Sequence, residues 1–276
     1  MNLSLSQITR QLLEAYNRFP RKNLGQHFLV DPQVLQRIIK AAELTSEDLV
    51  MEIGSGLGVV TAELAKIAGS VIAVEIDQEL LTISQDVLSK QNNITFVRGD
   101  ILKTDIDSLS MGRNYKIVGN LPYYIISPIV EKIFMCKNKP DAAVLMVQKE
   151  VAERMIAPPG SKKYGSFSIF TQFYAEVAID SLVSKSSFHP WPEVGSAVIV
   201  LKPYKTPKYD VKDEKLFFDI VHAAFQQRRK KIRNPLAKYN IDAALFDLSK
   251  RPEELSIEEF AALANYCYNQ KHETKS

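Results

Sequence analysis

Along the chain, short continuous apolar runs alternate with stretches in which apolar residues recur every three or four positions. The runs read as buried strands and the stretches as amphipathic helices. Strands are expected at 49–53, 71–74, 94–97, 115–118 and 141–147. After two further helical stretches, 149–156 and 167–174, the runs 177–183 and 196–201 complete the sheet as a hairpin. Leu5, Ile8, Leu12 and Tyr16 share one face of an N-terminal helix. Asp31 as cap and Pro32 at the first helical position start the next, with Val34, Leu35, Ile38 and Ile39 inward. Thr61, Leu64 and Ile67 mark a third, and Leu81, Ile83, Val87 and Leu88 a fourth. Strand and helix in alternation predict an open α/β sheet.

The residues that follow the strands carry chemistry. Three of the 11 glycines fall in 54–58, Gly54-Ser55-Gly56-Leu57-Gly58, right after the first strand. A turn needs one glycine; three let the backbone approach a ligand at a helix N-terminus. A dinucleotide fingerprint would place a further glycine at position 59, where Val59 stands, so a nucleoside is favoured over a nicotinamide cofactor. The second strand runs into Glu75-Ile76-Asp77, with Glu75 nineteen residues past Gly56, where a carboxylate accepts two ribose hydroxyls. The third runs into Gly99-Asp100-Ile101, placing Asp100 to accept from an adenine amine while Ile76 and Ile101 sandwich the ring.

The fourth strand meets Gly119-Asn120-Leu121-Pro122-Tyr123-Tyr124. Pro122 cannot donate to a ladder, so the strand ends at this point and the chain turns at the edge where open α/β sheets bind ligands. The Asn120 side-chain oxygen and the Leu121 carbonyl, freed by the turn, can both accept from an exocyclic amine, and Tyr123 offers a face for stacking. A strand-ending turn with buried aromatics is the plain alternative for any one of these segments; four coincident strand ends favour a ligand. Gln26-His27-Phe28, ahead of the Asp31 cap, fits loop packing and cofactor contact equally. Phe188-His189-Pro190-Trp191-Pro192 suits the wall of a base pocket, packing being again the alternative.

Composition narrows the class. With 46% hydrophobic and 24% charged residues, the 276-residue chain is expected to be a soluble globular protein with one large core and a small second domain. The longest uncharged apolar run, 117–130, contains two prolines and Asn120 and falls short of the roughly 18 residues a membrane span needs. The N-terminal segment, with Arg10, Arg18 and several serines, reads more simply as a packed helix than as a targeting peptide. Cys136 and Cys267 are far apart, and His27, His189, His222 and His272 have no metal-ligand spacing. The expectation is a cytosolic protein without membrane span, metal or disulfide. Net charge is +3, yet residues 220–241 hold no acidic residue and six basic ones, Arg228, Arg229, Lys230, Lys231, Arg233 and Lys238, so the remainder is net acidic. Such asymmetry suggests a polyanion docked at that segment, a solvated helix face being the alternative. The segment 225–233 is expected to be helical, with Arg229 and Arg233 on one face and Phe225 and Ile232 packed.

Taken together, Lys22-Asn23-Leu24-Gly25-Gln26-His27-Phe28-Leu29, Glu52-Ile53-Gly54-Ser55-Gly56, Glu75-Ile76-Asp77, Gly99-Asp100, Asn120-Leu121-Pro122-Tyr123, residues 148–154, the 188–192 loop and Arg228-Arg229-Lys230 resemble the S-adenosylmethionine-dependent rRNA adenine N6,N6-dimethyltransferases, specifically the small-subunit (16S) family of kasugamycin resistance. The resemblance runs from about residue 21 to 257 and implies a class I methyltransferase domain, Rossmann-like with a seven-stranded sheet, over 1–205, and a small helical domain over 206–276. Phe217, Phe218, Val221 and Phe225, then Leu255, Phe260 and Leu263, fit the latter. It implies S-adenosylmethionine contacts from His27, Leu29, Gly54, Glu75, Asp100 and Asn120, besides Gln26, Gly56, Ile76 and Ile101 from the reading above. It also implies catalysis at Asn120, Leu121, Pro122 and Tyr123, and RNA contacts from Tyr123, Phe188, Arg228, Arg229, Lys230, Lys231 and Arg233. The partner would be 16S rRNA in the immature 30S subunit, met by a monomer. Ser55, where proline is usual, and His27, where asparagine is common, depart from the family pattern. Macrolide-resistance methyltransferases of large-subunit rRNA share the chemistry but typically carry isoleucine where this chain has Leu121. An RNA-binding assembly factor in which catalysis is secondary remains a further alternative.

Overall fold

The computed structural model describes residues 3–21 and 25–273, so Lys22, Asn23 and Leu24 of the first motif lie outside the described residues. Helix α1 (Leu5–Ala15) is opened by a capping box between Ser4 and Gln7. A short strand β1 (Phe28–Leu29) precedes α2 (Pro32–Ala41), capped by Asp31. There follow β2 (Leu49–Ile53), α3 (Val59–Ala65), β3 (Ser70–Glu75), α4 (Gln78–Val87), β4 (Ile94–Arg98), α5 (Ile106–Ser110), β5 (Tyr115–Asn120), α6 (Ile126–Met135) and β6 (Ala142–Gln148). Then come α7 (Lys149–Met155), α8 (Ser166–Tyr174), β7 (Ala175–Val183), β8 (Phe188–His189), β9 (Ser196–Pro203), α9 (Glu214–Gln226) and α10 (Ile257–Glu273).

Seven strands form one sheet in the order β4-β3-β2-β5-β6-β9-β7. Strands β4, β3, β2, β5 and β6 are parallel, and β9 returns antiparallel to β6. Every residue of β2 is buried and β6 is buried up to its last residue, as expected of strands covered on both faces, whereas β7 at the edge alternates partly buried and exposed positions between its buried ends. The chain builds outward from β2 through β3 to β4, then returns to place β5 on the other side of β2. That reversal opens a crevice at the C-terminal ends of β2 and β5. Between β7 and β9 the hairpin loop forms β8, which pairs antiparallel with β1 through Phe28↔His189 and Leu29↔Phe188.

The chain separates into two compact units, residues 1–152 with 178–203, and 153–177 with 204–276. Residues 153–177, counted by sequence with the first domain, cluster with the second unit. In that unit α9 packs on α10, and Phe173 stacks on Phe217 at 4.8 Å.

Two helical expectations change. In α1 the buried positions are Thr9 and Leu13, with Leu5 and Leu12 partly covered, while Ile8 and Tyr16 face solvent. Leu13 joins Phe28, Leu57, Leu80 and Ile83 in a small core, which turns the helix about its axis relative to the face read from sequence. The basic segment is not helical. α9 stops at Gln226, and residues 227–236 run as turns. Repeated like charge at helical spacing disfavours a continued helix. The turns bury Ile232 and give its N–H to the Lys250 carbonyl at 2.9 Å and that of Arg233 to Leu248 at 3.2 Å.

Candidate active site

Four strand ends converge on one cleft. A cavity of about 280 Å³ lies against the C-terminal edge of β2, β3, β4 and β5 in the first unit. β2 gives way to the glycine turn, in which Gly54 and Gly56 adopt φ of +75° and +55°, a conformation that side chains rarely take. A Cβ on Gly56 would stand 3.6 Å from the Phe28 ring, and one on Gly54 3.6 Å from the Asn120 carbonyl. The bare backbone is therefore part of the cleft wall.

At the end of β3, Glu75 is 7% exposed and accepts from the Gly56 N–H at 2.8 Å through one oxygen and from the Asp77 N–H at 2.9 Å through the other. Burial raises its pKa, and these N–H groups oppose the rise. Both oxygens keep lone pairs, so two further donors can still be accepted. Ile76 beside it is 58% exposed, an apolar side chain left open at the cleft, and Ile101 lines the same space. Asp100, after β4, accepts the Leu102 N–H through Oδ1 at 3.0 Å; its Oδ2 has no donor among the described residues.

β5 delivers Asn120. Its Nδ2 donates to the His27 carbonyl at 3.1 Å, and because a carbonyl can only accept, this bond fixes which way the amide points and leaves Oδ1 as a free acceptor. The Leu121 carbonyl likewise has no donor among the described residues. Pro122 and Tyr123 open a single 3₁₀ turn. The Tyr123 hydroxyl hydrogen-bonds Ser196 Oγ at 2.8 Å, its ring stacks on His27 at 6.0 Å, and burial raises its pKa. His27 is in turn held by Nδ1 donating to the Pro190 carbonyl at 2.8 Å. Gln26 has its amide occupied on both sides, accepting from the Arg21 N–H at 2.9 Å and donating to Asp77 at 3.1 Å. It thus ties the loop to the cap of α4 while lining the cleft.

Of the residues expected here, Gln26, His27, Gly54, Gly56, Glu75, Ile76, Asp100, Ile101, Asn120, Leu121, Pro122, Tyr123 and Phe188 all line the cavity. Leu29 does not. Its side chain is 3% exposed in the core with Val34 and Phe188, because β1 pairs with β8 and turns it inward. Arg228, Arg229, Lys230, Lys231 and Arg233 belong to the second unit. The cleft also takes in Gly25, with φ of +63°, and Tyr124, 64% exposed, which the sequence reading passed over. The doubled aromatic Tyr123-Tyr124 was the available signal. Among the described residues there is no cluster of side chains able to hold a metal ion and no helix long and apolar enough to cross a membrane.

Comparison with known proteins gives a consistent picture. The model of the ribosomal RNA adenine dimethylase family matches residues 17–269. The chain is 43% identical over 277 residues to a protein of Listeria monocytogenes named ribosomal RNA small subunit methyltransferase A, covering 94% of both. It is 41% identical to the Clostridium botulinum protein of the same name, covering 95% of this chain and 98% of the relative. Among solved structures, a dimethyladenosine transferase from Plasmodium falciparum superposes with a TM-score of 0.77 at 26% identity, over 89% of this chain and 98% of that one. The 23S rRNA methyltransferase ErmE, at 24% identity and a TM-score of 0.70, shares the fold. With its cleft, its strand order and a match over nearly its whole length, this chain belongs to the ribosomal RNA adenine dimethylase family of S-adenosylmethionine-dependent methyltransferases.

Proposed function

We propose that the protein dimethylates N6 of two adjacent adenosines in the 3′-terminal hairpin loop of 16S rRNA, within the immature small ribosomal subunit and in the cytoplasm. The observation that carries this reading is the Asn120 amide, anchored by the His27 carbonyl so that Oδ1 is left as an acceptor in the cleft that Leu121, its carbonyl also without a donor among the described residues, lines too. Two acceptors in one cleft match an exocyclic amine, which has two hydrogens to give. The relatives' shared name, ribosomal RNA small subunit methyltransferase A, supports the small subunit as the source of that amine.

The cleft fits S-adenosylmethionine on its own features. Glu75 would accept the ribose hydroxyls, Asp100 Oδ2 the adenine amine, and Ile76 with Ile101 would cover the ring, while Gly54 and Gly56 keep the backbone clear of the amino-acid end. When bound, that cofactor supplies a methyl group on a positively charged sulfur. The chain's own residues act on the other partner. The substrate N6 lone pair is delocalised into the ring and is a poor nucleophile. In the first transfer, bonds from its two hydrogens to Asn120 Oδ1 and the Leu121 carbonyl favour a pyramidal nitrogen and hold the lone pair in line; in the second, the one remaining hydrogen is held by one of these acceptors. No strong base is required, since the proton becomes acidic only after transfer and can then leave to water. Catalysis rests on positioning. The target base leaves its stack at a cost of a few kcal/mol, which stacking on Tyr123, worth roughly 1–3 kcal/mol, partly offsets. Phe188 reaches the same wall but is 2% exposed in the core beside Leu29, so it backs the pocket rather than stacking on the base.

We assign the cofactor and transfer chemistry to residues 1–205 and rRNA docking to 206–276. In the basic segment the Arg228 guanidinium donates to the Ser161 and Lys162 carbonyls and faces Glu253 at 4.0 Å, so its role is mainly to hold the turn. Arg229, Lys230, Lys231 and Arg233 are exposed and form no ion pair among the described residues. These four would meet the phosphates.

Asn120→Ala removes one orienting acceptor. Single turnover on unmethylated subunits should fall by on the order of 100- to 1,000-fold, with subunit affinity nearly unchanged. A variant keeping more than about a third of the wild-type rate would overturn the orientation mechanism.

A further inference from the structure

The second unit has a cavity of its own, about 240 Å³, between the basic turn and α10. Ile232 and Leu263 are buried in its floor, and Leu245, 65% exposed, stands at its edge. Its polar groups are few. Asp247 Oδ1 accepts the Ser249 N–H at 3.0 Å and hydroxyl at 2.7 Å, leaving Oδ2 without a donor among the described residues. Lys250 Nζ bonds Glu259 at 2.6 Å. Ile232 is held by its N–H on the Lys250 carbonyl, and the exposed Lys231 and Arg233 flank it in the chain. The Asp247 carboxyl lies below its ordinary range, chiefly through the Ser249 hydroxyl and N–H, which outweigh its desolvation, with Lys250 and Lys231 adding to the effect.

A slot lined by Ile232 and Leu263, by Asp247 with one free carboxylate oxygen and by the Lys250 ammonium, with two exposed cations next to Ile232 in the chain, is complementary to a base still attached to its phosphates. An acidic peptide would be drawn to the cations but repelled by Asp247 and Glu259. Guanine fits best. Its N1–H and 2-amino group are adjacent donors that the two lone pairs of Asp247 Oδ2 can accept, and its O6 accepts from an ammonium. We propose that this cavity takes an unstacked guanine of the docked rRNA, with Asp247 reading its donor edge and Lys231 and Arg233 gripping the flanking phosphates. The inference rests on RNA docking at the basic segment.

The test measures binding of the full-length protein to unmethylated small subunits across a range of salt. Asp247→Asn keeps an acceptor for Ser249 but cannot take two donors. It also removes a negative charge, which by itself would strengthen attraction to RNA. Binding should nevertheless weaken by on the order of tenfold, with the slope of log affinity against log salt unchanged because no cation is lost. Ala262→Trp, at an exposed position of α10 lining the cavity, should weaken it similarly. Arg229→Gln with Lys230→Gln should flatten the slope. If Asp247→Asn binds as tightly as wild type while the Arg229/Lys230 variant flattens the slope, the guanine site is wrong and docking stands. Weakening by Ala262→Trp alone would mean an apolar, protein occupant and also overturn it. A wild-type slope in the Arg229/Lys230 variant would remove the docking reading and this inference with it.

Discussion

Glu52 illustrates what one buried residue does to the pH response of the whole chain. It is 2% exposed at the end of β2, and Oε2 accepts from the Thr61 hydroxyl at 2.5 Å, fastening the strand to α3 across the glycine turn. Burial, with Glu75 nearby adding to it and Thr61 opposing it, raises its pKa from 4.5 to about 7. The folded state therefore holds a proton that the unfolded chain has released between these values, so this group's contribution to stability is full below pH 4.5 and is lost as pH rises through 7. Glu52→Gln keeps an acceptor for Thr61 and removes the titration. In denaturant unfolding its stability relative to wild type should rise between pH 5 and 8, by at most on the order of 3 kcal/mol. A relative stability constant with pH would show that Glu52 stays ionised. Such behaviour was not legible in the sequence, because it depends on α3 closing over the carboxyl. Glu75, Asp100 and Asn120 were legible as cleft residues, since each ends or follows a strand and strand ends of an open sheet point one way. Leu29 was misplaced because β1 is two residues long and its partner Phe188 lies far along the chain.

Elements form where local signals and packing agree. Asp31 and Asp77 cap α2 and α4 through their side chains; the first start was read from sequence, while Asp77 was read only as the end of a strand. α3 begins differently, at Gly58 with φ of +80° and no side-chain cap. A Cβ there would stand 2.9 Å from Leu88 Cδ1 and 3.1 Å from Ser84 Cβ, where α4 ends. Gly58→Ala should cost roughly 1–3 kcal/mol through backbone strain, with some crowding besides, and lower the melting temperature accordingly. An unchanged melting temperature would mean that α3 and α4 shift freely. Where signals compete, sequence reading failed. The basic segment looked helical by its spacing of Phe225, Arg229 and Arg233, yet its own charges and the burial of Ile232 favour a turn. In α1 the apolar spacing allowed two faces, and the pocket made by Phe28, Leu57, Leu80 and Ile83 selects the one carrying Leu13.

At the scale of the whole molecule, two kinds of information lie in two units. The sheet of the first gathers Glu75, Asp100 and Asn120 at one cleft because β5 returns beside β2, and the second concentrates exposed cations in the turns after α9. The family and the sheet were legible from the ordered motifs; the assignment of 153–177 to the second unit was not, because only tertiary packing such as that of Phe173 on Phe217 decides it. The central claim is that the cleft delivers methyl groups to a specific pair of small-subunit adenines. Small subunits lacking these methyl groups, incubated with the protein and S-adenosylmethionine carrying a labelled methyl, should gain label as N6,N6-dimethyladenosine at two adjacent positions near the 3′ end of 16S rRNA. No label there, or label confined to other nucleotides or to large-subunit rRNA, would contradict it.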